Sequence, residues 1–231
     1  MKDNFMLAEI PFIPDAQAVI QQMQISLESD LASDIQALAE RAAVVANPKA
    51  LFRECYLQGR GEDTVTVDGT TFTSEVLRQN LEGVERVFPY VVTCGAEFDA
   101  LLAGMDDDLL RYCLDCIKGA ALGAASVFLR DHLVEHYGLT KFSSMNPGSG
   151  DVDLWPIQQQ ALLFGLLGDV EGAIGVRLSD TFLMHPNKSI SGIFFPTEVD
   201  FHSCQLCHRK DCPGRRAPFD EALWQEKHGG M

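Results

Sequence analysis

Apolar residues recur every three or four positions in three stretches of this chain and cluster in several shorter runs. The long-period stretches read as helices. Ser29 or Ser33 can cap the first. Its apolar positions Ile35, Leu38, Ala39, Ala42, Ala43 and Val45 share one face, and Asn47-Pro48 stops it. The second, over 106–137, should be the longest helix. Asp106, Asp107 and Asp108 favour a helix N-terminus, and Gly138 is a natural stop. Leu110, Leu114, Ile117, Ala121, Ala124 and Phe128 form its predicted apolar stripe. The third covers 157–167. A shorter helix, capped by Asp15, should run to about Gln24, and another, capped by Ser74, to about Leu81.

The short apolar runs predict strands. They fall at 51–57, 64–67, 70–73, 86–93, 175–178 and 190–195, the last stopped by Pro196. Asp68-Gly69 between the second and third is the best hairpin signal in the chain. Residues 5–14 form an extended apolar segment with two prolines. Residues 141–156 read as a loop, rich in Ser, Asn, Pro and Gly. One amphipathic turn is expected around Leu223 and Trp224. Helices and strands mix without a regular βαβ rhythm, which predicts an α+β fold.

Composition narrows the picture. The chain has 231 residues, 46% apolar and 22% charged, enough to build a core without disulfide staples. Its formal charge is −15, which argues against nucleic acid as a partner because no cation excess meets phosphates. Neither a signal peptide nor an apolar run of about 18 residues is recognised, so no membrane span and a cytoplasmic protein are expected. Seven cysteines in clustered spacing fit a reducing compartment better than a disulfide framework.

Cys204, Cys207 and Cys212 form a C-x2-C-x4-C cluster that can hold zinc or an iron–sulfur centre. A fourth ligand could come from His202, His208, Cys55, Cys94 or outside the chain; a loop of free thiols is the alternative. Arg209, Lys210, Arg215 and Arg216 surround the cluster, where they would favour thiolates or dock an acidic partner. Cys113 and Cys116 repeat the two-residue gap inside the long helix, where core packing is the expected role. Gly119, Ala120, Gly123 and Ala124 make a small-residue patch there, expected to pack closely against a sheet or helix. His132 and His136 read as surface residues. The chain contains no dinucleotide, Walker, zincin or nucleophile-elbow pattern.

The order of later landmarks is specific. Asn146-Pro147-Gly148 is followed by Trp155-Pro156 and a Gln-rich helix. Then come Ile174-Gly175-Val176-Arg177-Leu178, Met184-His185-Pro186 and Lys188-Ser189-Ile190-Ser191-Gly192-Ile193-Phe194-Phe195. This series resembles the reactivation domain of cobalamin-dependent methionine synthase, and more closely the stand-alone proteins related to that domain that accompany corrinoid methyltransferases. The resemblance is strong over 139–216 and extends over 10–138 in element order. It implies a twisted antiparallel sheet with long helices. A single domain of this kind is expected over 1–216, including a Cys-rich segment 201–216 that the parent domain lacks and that suggests an added redox or metal function, with a tail over 217–231.

In that family the domain binds S-adenosylmethionine and presents its methyl group to cobalamin. The family loop reads Arg-x-x-Pro-Gly-Tyr. Here Pro147 and Gly148 match, Ser144 stands at the Arg position and Ser149 at the Tyr position. The family's acidic ligand on the long helix falls here at Gly123-Ala124-Ala125. Losing the guanidinium removes a charge-assisted bond of roughly 1.5–3 kcal/mol, or about one to two decades in affinity. Lys141 is the candidate substitute charge. The resemblance implies a ligand site at Ser144, Asn146, Pro147, Gly148, Ser149, Lys188, Ser191 and Gly192. It implies an accessory or activation subunit rather than a complete enzyme, with S-adenosylmethionine as ligand. Cobalamin would come from the partner, a corrinoid protein or methyltransferase. The alternative is a zinc or iron–sulfur module built on the cysteine cluster.

Overall fold

Asp15, Ser29, Ser74 and Asp107 each turn a side-chain oxygen onto a free N–H in the first turn of a helix. The computed structural model describes residues 4–151, 153–199, 201–212 and 214–228. Strand β1 (Phe5–Leu7) precedes helices α1 (Ala16–Gln22) and α2 (Asp30–Val45). Strands β2 (Lys49–Phe52) and β3 (Cys55–Arg60) lead to the hairpin of β4 (Thr64–Val67) and β5 (Thr70–Thr73). Its turn residues Asp68 and Gly69 sit at φ 43° and 85°, as the Asp-Gly signal requires. Then come α3 (Glu75–Asn80), β6 (Arg86–Thr93), α4 (Asp99–Leu102) and α5 (Asp108–Tyr137). Gly138 ends α5 at φ 64°, where its N–H reaches the carbonyls of Leu133 and Val134. The remaining elements are β7 (Phe142–Met145), α6 (Gln160–Leu167), α7 (Val170–Ile174), β8 (Arg177–Leu178), β9 (Met184–His185), β10 (Ser189–Pro196) and α8 (Glu221–His228).

All strand pairings are antiparallel. Strand β6 is the axis of the main sheet. Along one edge it pairs with β10, and β10 in turn pairs with β7. Along the other it pairs with β2 and then β3. Phe52↔Tyr90 and Cys55↔Val87 keep one register, so the expected strand 51–57 is a single ribbon interrupted at Arg53-Glu54. Past β6 the sheet curls through β3, β4 and β5.

Both faces of β6 are covered, which explains its unbroken apolar run. Phe88, Tyr90 and Val92 join Phe52, Phe194 and the second half of α5. Val91 meets Leu167, Val170 and Ile174 on the opposite face. Val87 there joins Ile193, Phe195, Trp155 and Leu163. The first half of α5 packs instead on α1 and α2.

Several expectations change. On α5 the buried positions run Leu114, Ile117, Ala121, Ala125, Leu129 and Leu133, not through Ala124 and Phe128. Steps of four turn the buried face about the helix axis, because the packing partner changes from helices to sheet. The small-residue patch is not a close contact: a Cβ at Gly119 or Gly123 would meet nothing within 4 Å. Among the described residues α5 is the one helix long and apolar enough to cross a bilayer, yet its buried face lies against α2 and the sheet. The first residues of the expected loop form β7, an edge strand held by β10. The strand expected at 175–178 shrinks to two residues, preceded by the unforeseen α7. The turn near Leu223 is a helix of 8 residues, α8.

Candidate functional site

The segment after β7 is shaped by two glycines and one amide. Asn146 donates from Nδ2 to the Tyr90 hydroxyl (2.8 Å) and to the Ser191 carbonyl (2.6 Å). The Asn146 carbonyl accepts the Ser149 N–H at 3.1 Å, closing a turn over Pro147 and Gly148. Gly148, at φ 75°, donates its N–H to the Trp155 carbonyl (2.8 Å), and a Cβ there would press on the Ile157 side chain at 3.0 Å. Gly192, cross-strand from Tyr90, leaves the space that the Asn146 amide fills; a Cβ there would collide with that amide and with the Met145 carbonyl.

The Cys-rich segment folds back onto this turn. Phe201 and Leu206 are buried beside Trp155 and Met145. The Phe201 N–H donates to Ser143 Oγ at 3.2 Å. Asp151 receives the His208 backbone N–H on Oδ1 (3.2 Å) and faces the His208 ring nitrogen Nδ1 with Oδ2 (2.6 Å). Burial raises the Asp151 pKa, but the bonds to His208 outweigh it and hold the carboxyl below its ordinary range. Arg215 organises the segment from within, donating to the carbonyls of Cys204 (3.0 Å), Ala217 (3.0 Å), Cys207 (2.9 Å) and Arg209.

Together these parts enclose a cleft of about 310 Å³. Six of the eight predicted ligand residues, Ser144, Asn146, Pro147, Gly148, Ser149 and Ser191, line it. Gly192 lies beneath Asn146 and acts through it. Lys188 is elsewhere: its ammonium pairs with Asp115 on α5 at 2.7 Å. Lys141 is also taken, by Glu198 at 2.6 Å, and borders other hollows rather than this one. It is not the substitute charge for this cleft.

Lining residues not anticipated as ligand contacts include Gln160, Met184, Ser189, His202, Cys204 and Arg216. Gln160 is buried; its Oε1 accepts from the Ser191 hydroxyl (3.1 Å) and its Nε2 donates to the Phe182 carbonyl (2.9 Å). The Gln-rich start of that helix and the first serine of Lys-Ser-Ile-Ser were available signals for Gln160 and Ser189. No spacing rule points to Arg216.

The cysteines behave as two sets. Cys55, Cys94 and Cys113 are buried, and burial pushes the Cys94 thiol up to about 11. Cys113 packs in the helical core as expected, while Cys116 is half-exposed. Cys204, Cys207 and Cys212 are half-exposed on the folded-back segment. Among the described residues no group of three or more His, Cys, Asp or Glu side chains is arranged to hold a metal ion. The zinc and iron–sulfur expectation therefore gains no support from the geometry. His132 and His136 stack on each other at 4.0 Å on α5; His136 is exposed as expected, but His132 is half-buried with its ring 5.4 Å from that of Phe52.

No family model and no curated protein matches the chain. Among solved structures it is similar to the MetH reactivation domain in its crystal structure bound to AdoHcy. The TM-score is 0.63 and the identity 16%, over 87% of this chain and 81% of that one. The fold is therefore that of the MetH reactivation domain, a curled antiparallel sheet with long helices, as the resemblance implied.

Proposed function

We propose that the cleft binds an adenosyl ligand, S-adenosylmethionine or S-adenosylhomocysteine, and that the chain is an accessory subunit of a corrinoid methyltransferase system. The observation that carries this reading is convergence. The residues implied by the Asn-Pro-Gly and Ser-x-Ser-Gly motifs, over forty positions apart, line one cleft in a fold shared with a domain that binds AdoHcy.

The cleft's own chemistry supports it. Its volume of about 310 Å³ lies at the lower end of the range for small-molecule sites, roughly 300–1,000 Å³. Hydroxyls of Ser144, Ser149, Ser189 and Ser191 and the amide of Gln160 can accept and donate around a ribose or purine edge. Pro147 and Gly148 bring backbone close to the ligand without a bulky side chain. Among the described residues the lining includes no Asp or Glu. The chain's role would be to hold and orient the methyl donor, while a corrinoid carried by the partner supplies the metal centre that takes the methyl group.

Calorimetry with S-adenosylhomocysteine and S-adenosylmethionine tests the ligand. Saturable 1:1 binding that Gly148→Val abolishes is expected; no heat with either ligand would end this reading. Titration with a corrinoid protein tests the partner, and S-adenosylmethionine should tighten that association.

A further inference from the structure

The cleft departs from the rest of the molecule in its charge. The chain carries 33 acidic and 18 basic residues, yet the described residues lining the cleft include no Asp or Glu and a single Lys or Arg, Arg216. Its position is built rather than incidental. Arg215 and Arg216 are neighbours with opposite assignments. Arg215 turns inward and fixes the carbonyls of Cys204, Cys207 and Ala217, so the backbone at this point is held. The Arg216 N–H contacts Cys204 Sγ at 3.5 Å, and its side chain lines the cleft. Among the described residues its guanidinium has no carboxylate within ion-pair distance, whereas Lys188 and Lys141 are both paired. Its charge also reaches the Tyr90 hydroxyl: burial pushes that group's pKa up, and Arg216 is one of the cations opposing the rise. Tyr90 is the partner of Asn146 at the base of the turn.

A guanidinium with free donors, facing hydroxyls and amides in a partly enclosed cleft, is suited to a planar anion held by two parallel bonds. We propose that Arg216 is the anion anchor of the cleft and binds the carboxylate of the ligand's amino-acid part. The Cys-rich segment then serves the site as its third wall, contributing the charge that Ser144 does not. This inference rests on the adenosyl reading above and adds the residue that recognises the amino-acid end.

The experiment compares S-adenosylhomocysteine with its carboxamide, which keeps every group except the negative charge, by calorimetry on the full chain. Wild type should bind the carboxylate form about 10- to 100-fold more tightly than the amide. Arg216→Gln should lose that preference while binding the amide as wild type does, and Arg216→Lys should recover part of it. If Arg216→Gln keeps the preference, or if wild type never shows one, Arg216 is not the anchor although adenosyl binding stands. If Arg216→Gln weakens both ligands equally, its role is to shape the wall and the proposal fails. Binding of neither ligand to wild type would overturn the adenosyl reading and this inference together.

Discussion

Asp151 and His208, 57 positions apart, meet twice: backbone N–H to Oδ1 at 3.2 Å and ring Nδ1 to Oδ2 at 2.6 Å. The pair fastens the Cys-rich segment to the loop that follows the Asn146 turn, beside the buried Phe201 and Leu206 and the Arg215 bonds that also hold the third wall of the cleft. Burial raises the Asp151 pKa and the His208 bonds lower it further than that, leaving it depressed in the fold. A depressed carboxyl contributes stability that is fully present above its unfolded pKa and is lost as pH falls through the folded value. Docking should therefore persist down through the ordinary aspartate range and fail only below it. Trp224, 5.5 Å from the His208 ring, reports the event through its fluorescence. Asp151→Asn should loosen the segment already at neutral pH; an unchanged acid titration in that variant would refute the fastening role.

Gly192 tests the base of the cleft. An alanine Cβ would collide with the Asn146 amide and the Met145 carbonyl, and Asn146 would give up its bonds to Tyr90 and Ser191. Gly192→Ala should cost about 1–3 kcal/mol in urea unfolding, the usual range for overpacking. It should also weaken adenosyl binding although no atom of Gly192 lines the cleft. Wild-type stability together with wild-type affinity would contradict the geometry.

Neighbouring residues on α5 should respond very differently. Leu129 is fully buried against the sheet and Phe128 is 38% exposed. Leu129→Ala should lose about 2–5 kcal/mol, the range for a core leucine, whereas Phe128→Ala should stay within roughly 1 kcal/mol. Equal losses would mean that the buried face of the helix has the phase expected from the sequence stripe.

Thiol reactivity should divide the cysteines. Cys55, Cys94 and Cys113 are buried, and Cys94 has its pKa raised to about 11, so in the native protein at pH 8 they should resist iodoacetamide. Cys204, Cys207 and Cys212 should be alkylated first, as read by peptide mass spectrometry. Protection of all three in protein purified without oxygen, relieved by a chelator, would show a bound metal and revive that reading.

Strand β6 and the apolar part of β10 were legible because both faces are buried, which leaves a continuous apolar run. Strand β7 was not: Phe-Ser-Ser-Met carries no period, and only pairing with β10 makes it extended. Much of the candidate site could be read, since Pro147, Gly148 and the Ser-x-Ser-Gly segment are motif residues. Arg216 could not, because its place in the cleft depends on the fold-back fixed by Arg215 and Asp151.

The sequence by itself determined what short-range physics decides. Asp15, Ser29, Ser74 and Asp107 start their helices, Gly138 ends the longest, and Asp68-Gly69 turns the hairpin, each through bonds or backbone preferences within a few residues. Tertiary structure alone decided the phase of α5, which follows its change of packing partner from helix to sheet. It also decided which cations are free. Lys188 and Lys141 are neutralised by Asp115 and Glu198, partners 73 and 57 positions away, and Arg216 is left facing the cleft. Ion pairs over such separations obey no local spacing, so the charge of the cleft exists only once the chain has folded.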